Sequence, residues 1–100
     1  MEQRIYDYLA EIPVGKVVTY GQIAEFLGDR HLARFVGSCL HQNPDGSRFP
    51  CYKVVSAQGK LARSYAFGGL PEQKRRLERE GIRVENDRVD LEKYQWDGES

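Results

Sequence analysis

The order of apolar and polar positions divides the chain into short segments that change period at its prolines and glycines. Ile5, Tyr8 and Leu9 share one side of a helix over Glu2 to Glu11, and Pro13 with Gly15 turns the chain after it. Val17 and Val18 make a brief extended stretch. Thr19 and Gln22 stand three apart in a capping-box pattern, in which side chains satisfy backbone N–H groups that a helix start leaves unpaired. The helix they open is expected to turn Ile23, Phe26 and Leu27 inward and to stop at Gly28. After a short turn at Asp29 and Arg30, a second apolar stripe of Leu32, Phe35, Val36, Cys39 and Leu40 predicts a helix from His31 to His41. Two short helices across a glycine-containing turn form a helix-turn-helix candidate, although ordinary helical packing gives the same pattern.

Asn43, Pro44, Asp45 and Gly46 make a turn that leads into Pro50, Cys51 and Tyr52, and then into a short strand from Lys53 to Ser56. Gln58 and Gly59 turn the chain again, and the stretch from Leu61 to Gly69 reads as a mobile surface loop. Pro71 suits the first turn of a highly charged helix over Glu72 to Glu80, which Gly81 ends. Ile82 and Val84, then Val89 and Leu91, alternate on either side of Asn86 and Asp87 and predict a small hairpin. Tyr94 and Trp96 are expected to cover one end of the core.

One hundred residues, 40% of them hydrophobic and 11% aromatic, suffice for one small self-supporting domain, placed at 1–96 with a flexible tail at 97–100. No apolar run approaches the roughly 20 residues of a membrane span, and the charged, amphipathic start MEQRIYDYLAEI does not resemble a signal peptide. A cytoplasmic protein without membrane contact is expected. Net charge is zero, but its distribution is uneven. From Asp29 to Arg63, Arg30, Arg34, Arg48, Lys53, Lys60 and Arg63 face only Asp29 and Asp45, a surplus of four positive charges. Such a middle suits a local anionic partner, and a solvated basic face would look the same.

Cys39 falls at helical spacing with Val36 and Leu40 and reads as a small buried hydrophobe. Cys51 lacks that periodicity. Its proline neighbour stiffens the approach, and Arg48 or Lys53 nearby could favour a thiolate, so Cys51 is the candidate nucleophile, with a structural role as the alternative. A zinc site from His31, Cys39, His41 and Cys51 has the wrong spacing, since Cys39 and His41 diverge around a helix. No metal and no cofactor is expected.

The ordered set TYGQIA (Thr19 to Ala24), ARFVG (Ala33 to Gly37), Asn43-Pro44, PCYKVV (Pro50 to Val55), GGL (Gly68 to Leu70) and LEREG (Leu77 to Gly81) resembles the C-terminal domain of the O6-alkylguanine-DNA alkyltransferases. The length and the ending LEKYQW (Leu91 to Trp96) are closer to the alkyltransferase-like proteins, which consist of this domain alone and bind alkylated DNA. The resemblance implies an α/β, mostly α, single domain with a winged helix-turn-helix-like DNA-binding core, a short strand after the cysteine loop and a small C-terminal hairpin. It further implies that the helix-turn-helix enters the minor groove of double-stranded DNA, through Thr19, Tyr20, Gln22, Ala33, Arg34 and Gly37. By position, Arg34 matches the finger that fills the place of an extruded guanine, and Tyr20 matches the tyrosine that helps to turn out the nucleotide. Asn43 matches a hinge asparagine, Cys51 the alkyl acceptor, and Glu80 the far end of its proton relay. Arg63 lies where alkyltransferase-like proteins place an arginine near the lesion.

The chain departs from both halves of the family. The transferase motif is Pro-Cys-His-Arg, and its histidine links cysteine to glutamate through water; here Tyr52 takes that place, and a phenol of ordinary pKa about 10 is a poor base near neutrality. Alkyltransferase-like proteins usually carry tryptophan or alanine where Cys51 stands.

Three functions are therefore carried forward. In the first, the protein flips O6-alkylguanine into a pocket beside Cys51 and hands the lesion to other repair proteins. In the second it is a methylated-DNA-protein-cysteine methyltransferase, in which Cys51 irreversibly accepts the alkyl group with Tyr52 or water as a makeshift relay. The third is a plain helix-turn-helix regulator without a lesion pocket. A monomer that is cytoplasmic and nucleoid-associated, or nuclear in a eukaryote, is the expected setting.

Overall fold

A computed structural model describes residues 2–42, 49–61 and 69–98. Helix α1, Glu2–Glu11, is followed by strand β1, Val18–Thr19, and helix α2, Tyr20–Phe26. A single 3-10 turn at Arg30–Leu32 leads into α3, Ala33–His41. Another at Cys51–Lys53 precedes β2, Val54–Val55, and then come α4, Gly69–Arg79, the hairpin β3, Val84–Glu85, with β4, Arg88–Val89, and the short α5, Leu91–Tyr94.

The capping box at the start of α2 forms as its sequence spacing predicts. The Thr19 side chain accepts from the Gln22 amide at 3.1 Å, and the Gln22 side chain accepts from the Thr19 amide at 3.3 Å. The hairpin also forms as expected, because Asn86 and Asp87 take positive φ values of 53° and 56°, the left-handed pair that a two-residue turn of this twist requires. Gly59 is held to glycine by contact as well as conformation: at φ 81° a Cβ would overlap the Val89 carbonyl oxygen, to which the chain packs through the Val89 amide and Gly59 carbonyl at 2.8 Å.

β1 and β2 pair in parallel, Val18 opposite Val54 and Thr19 opposite Val55. Adjacent residues of a strand point to opposite faces, so this short ribbon divides the interior in two. Val18 and Val54 join Ile5, Leu9, Ile23, Val36, Leu40, Cys51 and Trp96 on the side of the first three helices. Val17 and Val55 join Leu61, Leu77, Ile82, Val84 and Val89 on the side of α4 and the hairpin. Tyr52 packs against both groups.

Four expectations are corrected. The helix expected from His31 begins at Ala33, with the 3-10 turn before it capped by Asp29, whose side chain accepts from the His31 amide at 2.9 Å. Phe26 does not turn inward; it is 45% exposed, packing on the outside of Tyr8 with Arg4 over its ring, and Phe35 likewise lies at the surface of α3. Cys51 opens a 3-10 turn rather than the edge of a strand, and the strand is confined to Val54 and Val55. The polar segment after the hairpin, in which no helix was expected, forms α5 because the Asp90 side chain caps it through the Glu92 amide at 3.0 Å.

Candidate nucleic-acid interface and cysteine site

α2 and α3 pack as a helix pair, and the outer face of α3 carries an open groove of about 650 Å³ lined by Tyr20, Ala33, Arg34, Gly37, Ser38, His41 and Gln42. Three of these residues, Ala33, Gly37 and Ser38, are small. Nothing would lie within 4 Å of a Cβ at Gly37, so that face offers close approach to a partner's backbone. Arg34 is exposed at the start of α3. Tyr20, the first residue of α2, is half-buried and lies between groove and interior, packing against the core group that includes Cys51. Burial, and after it the charge of the neighbouring Cys51 as thiolate, push its phenol above the ordinary value.

Cys51 is itself buried, 5% exposed. Its turn is fixed by backbone bonds, from the Cys51 amide to the Phe49 carbonyl at 2.7 Å and from the Lys53 amide to Pro50 at 3.0 Å. From α4, the fully buried Gln73 donates to the carbonyls of Tyr52 at 3.0 Å and Val54 at 3.3 Å. The cysteine is thus carried on a turn held by its own backbone bonds and by a side chain of α4.

Behind it lies a compact ionic cluster. The Tyr52 hydroxyl donates to Glu80 Oε2. Lys53, 2% exposed, meets Glu80 Oε1 at 2.8 Å and donates to the Pro13 carbonyl at 2.6 Å and the Ile12 carbonyl at 3.4 Å. The Gly15 amide donates to the same Oε1 at 3.1 Å, and the Arg76 guanidinium lies over the Tyr52 ring, 5.9 Å from its centre. Burial alone would raise the Glu80 pKa, but the hydrogen bonds from Lys53, Tyr52 and Gly15, with the Lys53 charge, outweigh it and hold the carboxyl below its ordinary range.

The expected site residues therefore fall into distinct places. Tyr20, Ala33, Arg34 and Gly37 are brought together on one groove, and Tyr20 also packs against the core group that holds Cys51. Tyr52 and Glu80 are brought together directly, with no intervening group. Thr19 and Gln22 make internal bonds: beyond the cap, Gln22 donates to the Trp96 carbonyl and accepts from Gln95 at 2.9 Å. The Lys53 ammonium, expected near a Cys51 thiolate, makes its own bonds to Glu80 and two backbone carbonyls. Asn43, Arg48 and Arg63 lie outside the described residues. Sequence reasoning missed Ser38, His41 and Gln42 as groove residues, although helical spacing from Arg34 places Ser38 and His41 on its face. It also missed Gly15 and Gln73, which no local pattern marks.

Residues 1–82 match the family described as 6-O-methylguanine DNA methyltransferase, DNA binding domain. The chain belongs to this family. Outside the matched span, this family member adds Val84, Val89 and Trp96 to the two halves of its core. It is 43% identical over 94 residues to a DNA base-flipping protein of Vibrio parahaemolyticus, covering 93% of this chain and 92% of that one. It is 42% identical to a bifunctional methyltransferase/endonuclease of Picrophilus torridus, covering 92% of this chain but 30% of that longer protein. Among solved structures, that of Schizosaccharomyces pombe Atl1 in complex with damaged DNA containing O6-carboxymethylguanine superimposes with a TM-score of 0.85 at 32% identity, over 95% of this chain and 93% of that one. The mostly helical alkyltransferase fold, with its helix pair and small hairpin, is therefore that of this chain. Among the described residues, no helix is long and apolar enough to cross a membrane.

Proposed function

We propose that the protein recognises O6-alkylguanine in double-stranded DNA by turning the damaged nucleotide out of the helix, and passes the lesion to other repair proteins. The observation that carries this reading is the position of Tyr20, which lines the α3 groove, packs against the core group that holds Cys51 and feels the charge of that cysteine. α3 enters the minor groove, and the exposed Arg34 takes the vacated place in the base stack. Its planar guanidinium both stacks and neutralises charge, which offsets an unstacking cost of a few kcal/mol. Tyr20 guides the turned-out nucleotide toward Cys51. Asn43 and Arg63 take the hinge and lesion-contact roles that their family positions imply, and Ala33 and Gly37 allow the backbone to approach. Thr19 and Gln22 act through the cap that sets the start of α2.

With zero net charge the protein neutralises few phosphates, so its affinity rests on the extruded base more than on general attraction. It acts as a monomer and without a cofactor, wherever cellular DNA is held, in the bacterial cytoplasm or a nucleus.

The retained and buried Cys51 carries a second reading, that of a transferase consumed by its own reaction. A duplex with 2-aminopurine beside O6-methylguanine tests the shared step. Fluorescence that rises on adding protein, and fails to rise with Arg34→Ala, supports base extrusion; no change with either protein points to a regulator that binds the intact duplex.

A further inference from the structure

We propose that Tyr52 is a positioning residue that withdraws Glu80 from the chemistry of Cys51, so that the protein reads an alkylated base without accepting its alkyl group. This rests on the lesion-binding reading and explains why a protein that keeps the cysteine would bind rather than react.

Transfer would require the Cys51 sulfur to attack the alkyl carbon while the carbon–O6 bond breaks and its electron pair passes to guanine. The balance is thiol plus O6-alkylguanine giving thioether plus guanine, and the thiol proton must leave sulfur and finally reach the base. A base near sulfur speeds that departure. Glu80 is the carboxylate bonded to the two residues that follow the cysteine, but its two oxygens already receive Tyr52, Lys53 and the Gly15 amide. Tyr52 contributes its hydroxyl hydrogen to that cluster. Moving a Cys51 proton through it would require Tyr52 to become a phenolate or Glu80 to become an acid, and the Lys53 charge beside Glu80 opposes the second. The cluster is also a structural tie, joining the segment after α1, the cysteine turn and the end of α4, which favours its staying closed.

The test needs no DNA, so it fails or succeeds independently of lesion binding. In a Cys39→Ser background, the rate at which iodoacetamide alkylates Cys51 is measured against pH. Among the described residues, the charged and titratable groups around Cys51 and its neighbours include Tyr20 from α2, Tyr52 and Lys53 from its own turn, and Arg76 and Glu80 from α4 and its end. Tyr52→Phe, which leaves the Lys53–Glu80 pair in place, is expected to keep the midpoint of the profile where it is. Tyr52→His, whose imidazole accepts protons near neutrality, is expected to move it down by about one pH unit, so that alkylation below the midpoint is about tenfold faster. Adding Glu80→Gln to Tyr52→His should remove that gain. In parallel, the Glu80 carboxyl, followed by carbon NMR, should titrate at higher pH in Tyr52→Phe than in the wild type. A Cys51 profile that moves upward in Tyr52→Phe would show that the phenol relays the proton, and would overturn the proposal. An unchanged Glu80 titration in that variant would overturn the positioning role, and an unmoved profile in Tyr52→His would overturn the claim that Tyr52 is what disconnects the pair.

Discussion

Tyr52 donates its hydroxyl hydrogen to Glu80, 28 residues further along the chain, and the same carboxylate holds the buried Lys53 at 2.8 Å. The aromatic ring touches both halves of the core, and the ion pair anchors the segment at Ile12 and Pro13, so one cluster fixes where Cys51 stands.

Removing one partner of that pair should be costly. Glu80→Ala leaves the Lys53 ammonium, 2% exposed, without its counter-charge, and about 3–5 kcal/mol of stability should be lost. Urea denaturation checks this, and Lys53→Met combined with Glu80→Gln should recover most of the loss, because no charge is then left unpaired.

The same carboxylate should make stability sensitive to acid. Its folded pKa is depressed below the unfolded value of about 4.3, so its contribution is fully present above that pH and is lost as pH falls through the lower folded value. The urea midpoint should decline between about pH 5 and pH 3, and Glu80→Gln should flatten the decline. Some slope should remain, since hydrogen bonds from the His31 amide to Asp29, and from Arg75 and Arg76 to Glu72, depress those carboxyls too.

Local patterns made much of this fold legible before any coordinates. The Thr19–Gln22 spacing named its own cap, the Asn86–Asp87 pair its own turn, and the apolar stripe of α3 placed Val36, Cys39 and Leu40 in the core. What stayed hidden depends on residues distant in sequence. A lysine at position 53 reads as a solvated charge until Glu80 and the carbonyls of Ile12 and Pro13 converge on it. Phe26 fits an inward stripe, but it lies on the outside of the buried Tyr8, with Arg4 of α1 over its ring. Of the groove residues, Tyr20, Ala33, Arg34 and Gly37 were named through the family's ordered motifs, since Arg34 alone is one exposed arginine on a short helix.

Thr19 should matter to the fold more than to the partner. Thr19→Ala deletes the acceptor for the Gln22 amide and should cost about 1 kcal/mol, read as a lower urea midpoint. At a temperature where the variant is fully folded, its preference for lesion duplex over plain duplex should persist.

Arg34 should show the opposite pattern. It is exposed, so Arg34→Ala should change stability by no more than about 0.5 kcal/mol. Affinity for an O6-methylguanine duplex, measured by fluorescence anisotropy, should fall at least about tenfold, equivalent to about 1.4 kcal/mol.

The most direct measurement is the intact mass of the protein after incubation with an O6-methylguanine duplex, taken beside its affinity for that duplex and for plain DNA. The lesion duplex should bind more tightly while the mass stays unchanged. A stoichiometric gain of one methyl group, absent from Cys51→Ser, would contradict the account and show that Cys51 accepts the alkyl group with Tyr52 in place.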